Sequence, residues 1–498
     1  MTGRTLAGMA WAYGSYVAGR LMVLVATAIL ARLLTPKDFG LVALAVSFTA
    51  FLDVVRSLGP NEWLVVVAES EVMEWAETVW VVNVGLGLTL TLAAAVVGRV
   101  VAGFFHEPRL VAIVAVLGAN FFVGSLSYVH YALAQKRMDF RARTVAELAE
   151  VVARGLVGIG LALAGAGVWA LVLGYVVGTL AMTAALWITV PWRPSFAWRR
   201  EHLPRLWRFG GALGGVGLMA AMLAQFDNLV VARVLGAAAL GLYALATRLP
   251  ELLIINLSVV AGEVLFPAFA TFKRSEMGRP FLTSLHYALV IALPMTAFLA
   301  VLARPLIMAA FGPKWHGAVG AMQVLTLWAL ISPISLVCGT AYKALGRAGL
   351  LLRLALVQVA LWVPLVLLLA HRGIVAVSGA QAGVAAVMAT ASLVIMSRML
   401  AVGPGQLLSV SWAPVGAAGV LAGALWGMLQ LVSSTWPAIM GGAVVAGVVY
   451  PGLLWWWDRP TLMRLLGVVV PRLRPASGSL AEVGESLGPA LSSPVEAL

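Results

Sequence analysis

The sequence predicts an all-helical, polytopic membrane protein. It has about fourteen transmembrane helices: two six-helix lobes repeated in the same orientation, and two further helices at the C-terminus. Three observations carry this reading. Hydrophobic residues make up 62% of the 498-residue chain, charged residues only 11%, and the mean hydropathy is +0.99, whereas a soluble domain carries about 25% charged residues. Apolar stretches of about 20 residues, enough to cross a bilayer as a helix, recur nearly from end to end. Finally, Ala31–Ala45 reads ARLLTPKDFGLVALA and Ala232–Ala246 reads ARVLGAAALGLYALA, 201 residues later and identical at eight of fifteen positions. A water-soluble fold is excluded.

Helices are the spanning elements because lipid offers an open backbone no hydrogen-bond partner. The first predicted span, 11–34, ends at the turn that carries Arg32 and Lys37; the second, 40–61, ends before the four glutamates of Glu69–Glu77. Arg99 and Arg109 separate the third, 77–98, from the fourth, 110–133, and Lys136, Arg137, Arg141 and Arg143 lead into the fifth, 143–165. The sixth, 167–190, runs into WRPSFAWRREHLPRLWRFG, whose five arginines and three tryptophans suit an interfacial elbow on anionic inner-leaflet lipid. The seventh, 209–235, and eighth, 238–270, flank the second copy of the repeat. The ninth to twelfth, 281–303, 317–342, 349–371 and 373–400, are bounded by Lys273, Arg274, Arg304, Lys314, Lys343, Arg347 and Arg372. The thirteenth and fourteenth, 412–433 and 437–457, close on Trp455, Trp456 and Trp457, an aromatic belt. Thr461–Val470 is amphipathic and suits the membrane surface; beyond Pro475 the Ser, Gly, Pro and Glu content predicts disorder. The expected organisation is an N-terminal lobe with the start of the elbow over 1–200, a C-terminal lobe over 201–400, helices 13 and 14 over 401–457, and a tail over 458–498.

Charge placement sets direction. With a cytoplasmic N-terminus, the connections on that side hold 21 Lys and Arg residues and the opposite connections hold 8, so the positive-inside rule puts both termini in the cytoplasm. The acidic run Glu69–Glu77 opposes this only weakly, because acidic residues contribute little to the rule. The apolar stretch from Trp11 continues past any cleavage point, so the N-terminus is expected to stay attached. The net charge of +13 is thus a membrane-orientation signal rather than one for nucleic acid. Cys338, the single cysteine, forms no internal disulfide and reads as a small buried hydrophobe.

Six spans separate the two copies of the repeat. An even number means that both halves run the same way through the membrane, related by an axis along its normal, as in transporters built from parallel repeats. In each copy a glycine, Gly40 or Gly241, sits where the chain leaves a tight turn and starts the next span.

The segments ARLLTPKDFGLVALAVSFTAFLDVV, QFDNLVVARVLGAAALGLYALATRLPE, VLFPAFA and FGPKWHGAVGAMQVLTLWAL resemble the bacterial polysaccharide and O-antigen flippases, the Wzx and especially the WzxC-like exporters of the multidrug/oligosaccharidyl-lipid/polysaccharide (MOP) superfamily. The likeness covers residues 4 to 400. It implies two lobes arranged as a V around a central cavity, as in MATE transporters, and alternating access for undecaprenyl-pyrophosphate-linked oligosaccharides in a bacterial inner membrane. It also implies contact with polysaccharide polymerase or assembly proteins.

Charges inside the spans are the candidate functional residues, since each costs about 2.5–3.5 kcal/mol unless it is paired or faces a wet cavity. Tyr13, Tyr16, Arg20 and Thr27 form one polar stripe on the first span. A pyrophosphate calls for arginine, whose planar fork binds its oxygens bidentately. Arg20 is the first candidate because its own helix has no acid within four residues. Arg56, Arg154 and Arg248 follow, each near a local acid. Tyr13, Tyr16, Gln225, Asn228 and Tyr243 suit sugar hydroxyls and ring faces, and equally suit helix-to-helix hydrogen bonds. Asp53, Glu147, Glu150, Asp227, Glu251 and Glu263 fit either a coupling ion or counter-ions to the arginines, and the proximity of those arginines favours counter-ions. Gly210, Gly211, Gly214 and Gly215 have close-packing spacing, and Pro250, Pro294, Pro333 and Pro364 predict kinks concentrated in the second half.

The histidines lack metal-ligand spacing, no phosphate-cradling glycine loop is present, and no metal or cofactor is implied. An enzyme would need a prearranged site on a sizeable loop or domain, and the longest connection is about 18 residues. The alternatives are a lipid II flippase, or a drug/cation antiporter of the same superfamily, for which unpaired acids would be expected.

Overall fold

The computed structural model describes residues 19–56, 60–195, 198–432 and 434–469, with backbone alone at 60–62, 207, 209–217, 220, 257, 259–260, 263–264, 348 and 465–469. Tyr13 and Tyr16 lie outside the described residues, as do the side chains of Glu263 and of the glycine cluster 210–215. Among the described residues the regular structure is helical: α1 (19–33), α2 (Pro36–Arg56), α3 (Pro60–Val66), α4 (Val72–Phe105), α5 (Leu110–Ser125), α6 (Tyr128–Lys136), α7 (Phe140–Leu163), α8 (Val168–Thr189), α9 (Leu203–Leu235), α10 (Ala237–Pro250), α11 (Asn256–Ala270), α12 (Gly278–Val301), α13 (Ala303–Ala310), α14 (Val319–Ala344), α15 (Ala348–Leu369), α16 (Ile374–Met399), α17 (Pro404–Leu431), α18 (Thr435–Trp457) and α19 (Arg459–Val469).

Ten described helices are long and apolar enough to cross a membrane, or eleven if the bent pair α5–α6 counts as one span. α7 falls outside that number because Glu147, Glu150 and Arg154 all lie in its apolar stretch. The sharp bend differs from expectation. It measures 49° and lies between Ser125 and Tyr128, in the first half of the chain and without a proline. Pro294, Pro333 and Pro364 instead sit inside continuous helices. Pro250 marks a widened turn, Glu251–Ile255, between α10 and α11.

The chain divides into two compact units. One runs to Ala244 and includes Ala310–Trp315; the other comprises Leu245–Ala309 and the chain from His316. α9 belongs to the first unit because it packs on α2. In the second unit α12, α14, α16 and α17 form the packed centre, where Cys338 is fully buried among Phe281, Leu285 and Tyr342.

Within the first unit the two copies of the repeated turn lie against each other. A Cβ built on Gly40 would sit 1.6 Å from the Ala237 carbonyl oxygen and 3.0 Å from the Gly241 nitrogen; one built on Gly241 would sit 1.8 Å from the Pro36 oxygen and 3.0 Å from the Gly40 nitrogen. Pro36 and Ala237 are themselves repeat-related, so the crossing is a reciprocal, pseudo-two-fold backbone contact that only glycine permits. Around it, Thr35 and Asp38 cap α2: the Thr35 hydroxyl and amide donate to Asp38 Oδ2 at 2.6 and 3.0 Å, and the Asp38 amide donates to Thr35 Oγ1 at 3.3 Å. Trp315 Nε1 donates to the Ala31 carbonyl at 2.8 Å and Lys314 Nζ to that of Arg32 at 2.7 Å. The matched arginines have diverged. Arg32 donates to the Ala310 carbonyl, while Arg233 lies 4.9 Å above the Phe104 ring.

The elbow folds onto the same unit. Arg199 pairs with Glu74, the Ser195 amide donates to Glu77 at 2.7 Å, His202 stacks on Trp75 at 3.8 Å, and Arg205 lies 4.9 Å over Trp63. Lys136 donates to the Val65 and Val67 carbonyls and reaches Glu69 at 4.0 Å. The acidic run that opposes the charge rule is therefore the counter-surface for neighbouring cations of the protein itself.

Gly40→Ala and Gly241→Ala should each lower stability in detergent by about 3 kcal/mol or more, because the new methyl meets a fixed carbonyl. Gly85→Ala, where nothing lies within 4 Å, should change it by less than about 1 kcal/mol. Thermal melts of the three variants check this.

Candidate functional site

The polar interior of the first unit is built around the interruption between α5 and α6. Ser125 donates its hydroxyl to the Phe122 carbonyl at 2.6 Å and Ser127 to that of Gly124 at 3.1 Å, local bonds that compete with continuous helix. The carbonyls at the break are claimed from outside. Leu126 accepts from Trp187 Nε1 at 2.9 Å and Trp80 Nε1 at 3.3 Å, and Val123 accepts from Thr183 Oγ1 at 3.3 Å. With these groups satisfied, α6 can start afresh in a new direction and carry Tyr128 and Tyr131 toward α2 and α7.

α7 is gripped from two sides by glycine contacts. A Cβ on Gly174 would lie 3.0 Å from the Arg154 carbonyl oxygen, and one on Gly178 would lie 3.0 Å from Arg154 Cβ and 3.1 Å from the Glu150 oxygen. This small-xxx-small approach of α8 brings Tyr175 under the Arg154 guanidinium, 3.3 Å from the ring centroid. On the other side Gly155 meets Ala26 and Gly158 meets Leu30, so α1 runs parallel to α7. Gly19 meets Leu148, which sets its neighbour Arg20, an exposed residue, at the depth of Glu147 and Glu150.

Three arginine–tyrosine pairs result. Arg56 pairs with Asp53, with one bond at 2.8 Å, and lies 4.1 Å over Tyr128. Arg154 lies on Tyr175, and among the described residues no carboxylate is within ion-pair distance of it; Glu150, the acid its spacing would favour, does not close on it. Arg143 lies 5.0 Å over Tyr131 and donates to its hydroxyl at 2.9 Å, while that hydroxyl donates to Glu147 at 3.0 Å. Arg56 and Arg154 are thus the expected cations that the fold gathers, with Asp53, Glu147 and Glu150 interleaved.

The remaining expected residues have other surroundings. Gln225 accepts from the Ser47 hydroxyl at 2.7 Å and from Asn228 Nδ2 at 3.0 Å, a link between α2 and α9. Asp227 is buried and accepts from the Tyr243 hydroxyl at 2.7 Å. A phenol, not an arginine, is therefore its partner, and the 1%-exposed Tyr243 is a core residue rather than a sugar platform. Arg248 and Glu251, in the second unit, lie 3.7 Å apart and are both about half exposed. Among the described residues no group of three His, Cys, Asp or Glu could hold a metal ion.

Sequence reasoning missed Tyr128, Tyr131, Tyr175 and Arg143. The available signal was that tyrosine is scarce, nine in the chain, and that Tyr128 and Tyr131 share a helix face just before a basic connection.

Comparison with known proteins agrees with this architecture. Residues 29–320 match the family described as polysaccharide biosynthesis protein. The chain belongs to this family. It is similar to the succinoglycan biosynthesis transport protein ExoT of Rhizobium meliloti (strain 1021), 28% identical over 338 residues that cover 66% of this chain and 67% of the relative. It is also similar to the lipopolysaccharide biosynthesis protein WzxC of Escherichia coli (strain K12), 23% identical over 373 residues, 73% of this chain and 75% of that one. Among solved structures it is similar to the lipid II flippase MurJ in an inward closed conformation, with TM-score 0.71, 12% identity, and 91% of this chain and 99% of that chain covered. An inward-facing MATE transporter of the MOP superfamily follows at TM-score 0.57, with 16% identity and 76% and 95% covered. At such identities the structures establish the fold alone. The family resemblance and the all-helical, MATE-like class expected from the sequence are borne out. ExoT is named as a transport protein, MurJ as a flippase and the MATE protein as a transporter.

Trp187→Phe should cost about 1–3 kcal/mol by leaving the partly buried Leu126 carbonyl underpaired. The Trp80→Phe/Trp187→Phe double variant should lose more than the sum of the single losses, since each indole partly covers for the other. Melting of the purified protein in detergent reads both.

Proposed function

We propose that this protein is a flippase that moves undecaprenyl-pyrophosphate-linked oligosaccharide, the repeat unit of an O-antigen, capsule or exopolysaccharide, across the bacterial inner membrane by alternating access. The observation that carries the reading is Arg154: a guanidinium inside a span-length helix, oriented by Tyr175 at 3.3 Å and without a carboxylate at ion-pair distance among the described residues. Cation–π contact fixes its plane without neutralising its charge, and its fork fits phosphate oxygens. Arg56, shared with Asp53, binds more weakly or in alternation with its acid. The half-buried rings of Tyr128, Tyr131 and Tyr175 and the exposed Glu147 suit a hydroxyl-rich head.

Relatives named for succinoglycan and lipopolysaccharide biosynthesis favour an oligosaccharide cargo over lipid II, and the pairing of Asp227 with Tyr243 removes one acid that a cation antiporter would use. The charge asymmetry of the connections supports cytoplasmic termini, and the repeat supports two like-oriented lobes. The exposed Arg200 and Arg208 of the elbow suit anionic lipid.

In vesicles carrying a fluorescent prenyl-pyrophosphate-linked sugar, Arg154→Ala should slow translocation about 10- to 100-fold, the range for losing a charge-assisted pair. Arg154→Lys, which keeps charge but loses the fork, should fall between. No protein-dependent translocation by the wild type, or an Arg154→Ala rate equal to wild type, would overturn the reading.

A further inference from the structure

We propose that Arg143 and Tyr131, at the loop end of α7, form a loading site that takes the phosphate-bearing head of the substrate before it reaches Arg154; this rests on the flippase reading above. Arg143 lies in the first turn of α7, beside the exposed Arg137 and Arg141, while Lys136 is turned to the Val65 and Val67 carbonyls and Asp139 caps the helix, so an anion approaching this end of the unit is drawn by three cations set against one acid. Its guanidinium is tethered by a neutral partner, the Tyr131 hydroxyl at 2.9 Å, and no carboxylate is within ion-pair distance of it among the described residues. Its Nε is buried and has no acceptor there. With one arm tied to a neutral phenol and the Nε covered, the partly exposed guanidinium keeps its full charge, which phosphate oxygens complement.

Tyr131 does two things at once. It accepts from Arg143 and donates to Glu147 at 3.0 Å, which holds the guanidinium plane while keeping the carboxylate from closing on it. The exposed Glu147 remains near enough to repel a bound phosphate. Occupancy at Arg143 is therefore weak by construction, as suits a site that must release its ligand onward. Arg143 and Arg154 are eleven residues apart on one helix, about 16 Å along its axis, too far for one pyrophosphate to touch both. Between them, Tyr128 sits one turn before Tyr131 on α6 and carries Arg56. The head would thus pass from Arg143 to Arg56 and then to Arg154.

The test uses the full-length chain in nanodiscs with geranylgeranyl pyrophosphate as probe, and dioleoyl phosphatidylglycerol as competitor to separate a cargo phosphate from a resident lipid head. Arg143→Ala should weaken probe binding about 10-fold and Arg143→Lys about 3-fold, while Glu147→Gln should tighten it about 3-fold by removing the opposing charge, a gain that a purely structural role would not give. In the translocation assay Arg143→Ala should raise the half-saturating lipid concentration about 10-fold and leave the maximal rate within about twofold, where Arg154→Ala lowers the maximal rate. Binding by Arg143→Lys and Glu147→Gln equal to that of a wild type that binds the probe would overturn the loading site alone, as would equal displacement by phosphatidylglycerol. A wild type that neither binds nor translocates would overturn the flippase reading with it.

Discussion

The first unit depends on an unbonded carbonyl being satisfied within a helix long enough to span a membrane. Breaking a helix in lipid exposes backbone groups that cost several kcal/mol each when unpaired. Here the break at Leu126 is stable because indole N–H groups from two other helices, Trp80 of α4 and Trp187 of α8, meet its oxygen. Thr183 and Ser127 complete the seam at 3.1 Å. The chain is then free to turn by 49° and to place Tyr128 and Tyr131 against arginines of α2 and α7. The polar interior is a consequence of that seam.

Close backbone approach is the second constraint. At Gly174 and Gly178 the absence of a side chain lets α8 seat against the Glu150–Arg154 stretch; at Gly40 and Gly241 it lets two turns of the same spelling cross with amide nitrogens near each other. The latter explains why the turn is repeated. A reciprocal contact requires the same shape from both partners, and each copy supplies the glycine and the carbonyl that the other needs. Charge follows the same economy. The acidic run before α4 and the arginines of the elbow answer each other, so the strongest local exception to the charge asymmetry is an intramolecular interface.

Polar and ionisable groups in the spans of the first unit include two contrasting kinds. Asp227 with Tyr243, and Gln225 with Ser47 and Asn228, are self-satisfied and tie α9 to its neighbours. Arg143 and Arg154 are oriented by aromatic rings that fix their planes without taking their charge, with no carboxylate at ion-pair distance among the described residues, whereas Arg56 lies over Tyr128 but is paired with Asp53.

The family was legible in the wording of particular segments such as ARLLTPKDFGLVALAVSFTAFLDVV, while hydropathy and the length of the apolar stretches determined the membrane class and the helical content without coordinates, because both are properties of composition and of period along the chain. The arginines were legible as candidates for the same reason, since the cost of an ion in lipid does not depend on its partner's identity. The partners themselves were decided by the tertiary structure. Glu150 stands four residues from Arg154 in sequence, yet the α8 glycines bring Tyr175 closer; Asp227 has no arginine but a phenol sixteen residues on; and the sharp bend follows two serines and two distant tryptophans rather than any proline. Periodicity along one helix fixes which face a side chain occupies, whereas its contacts depend on the packing of other helices, from 16 residues away for Asp227 and Tyr243 to 178 for Ser47 and Gln225.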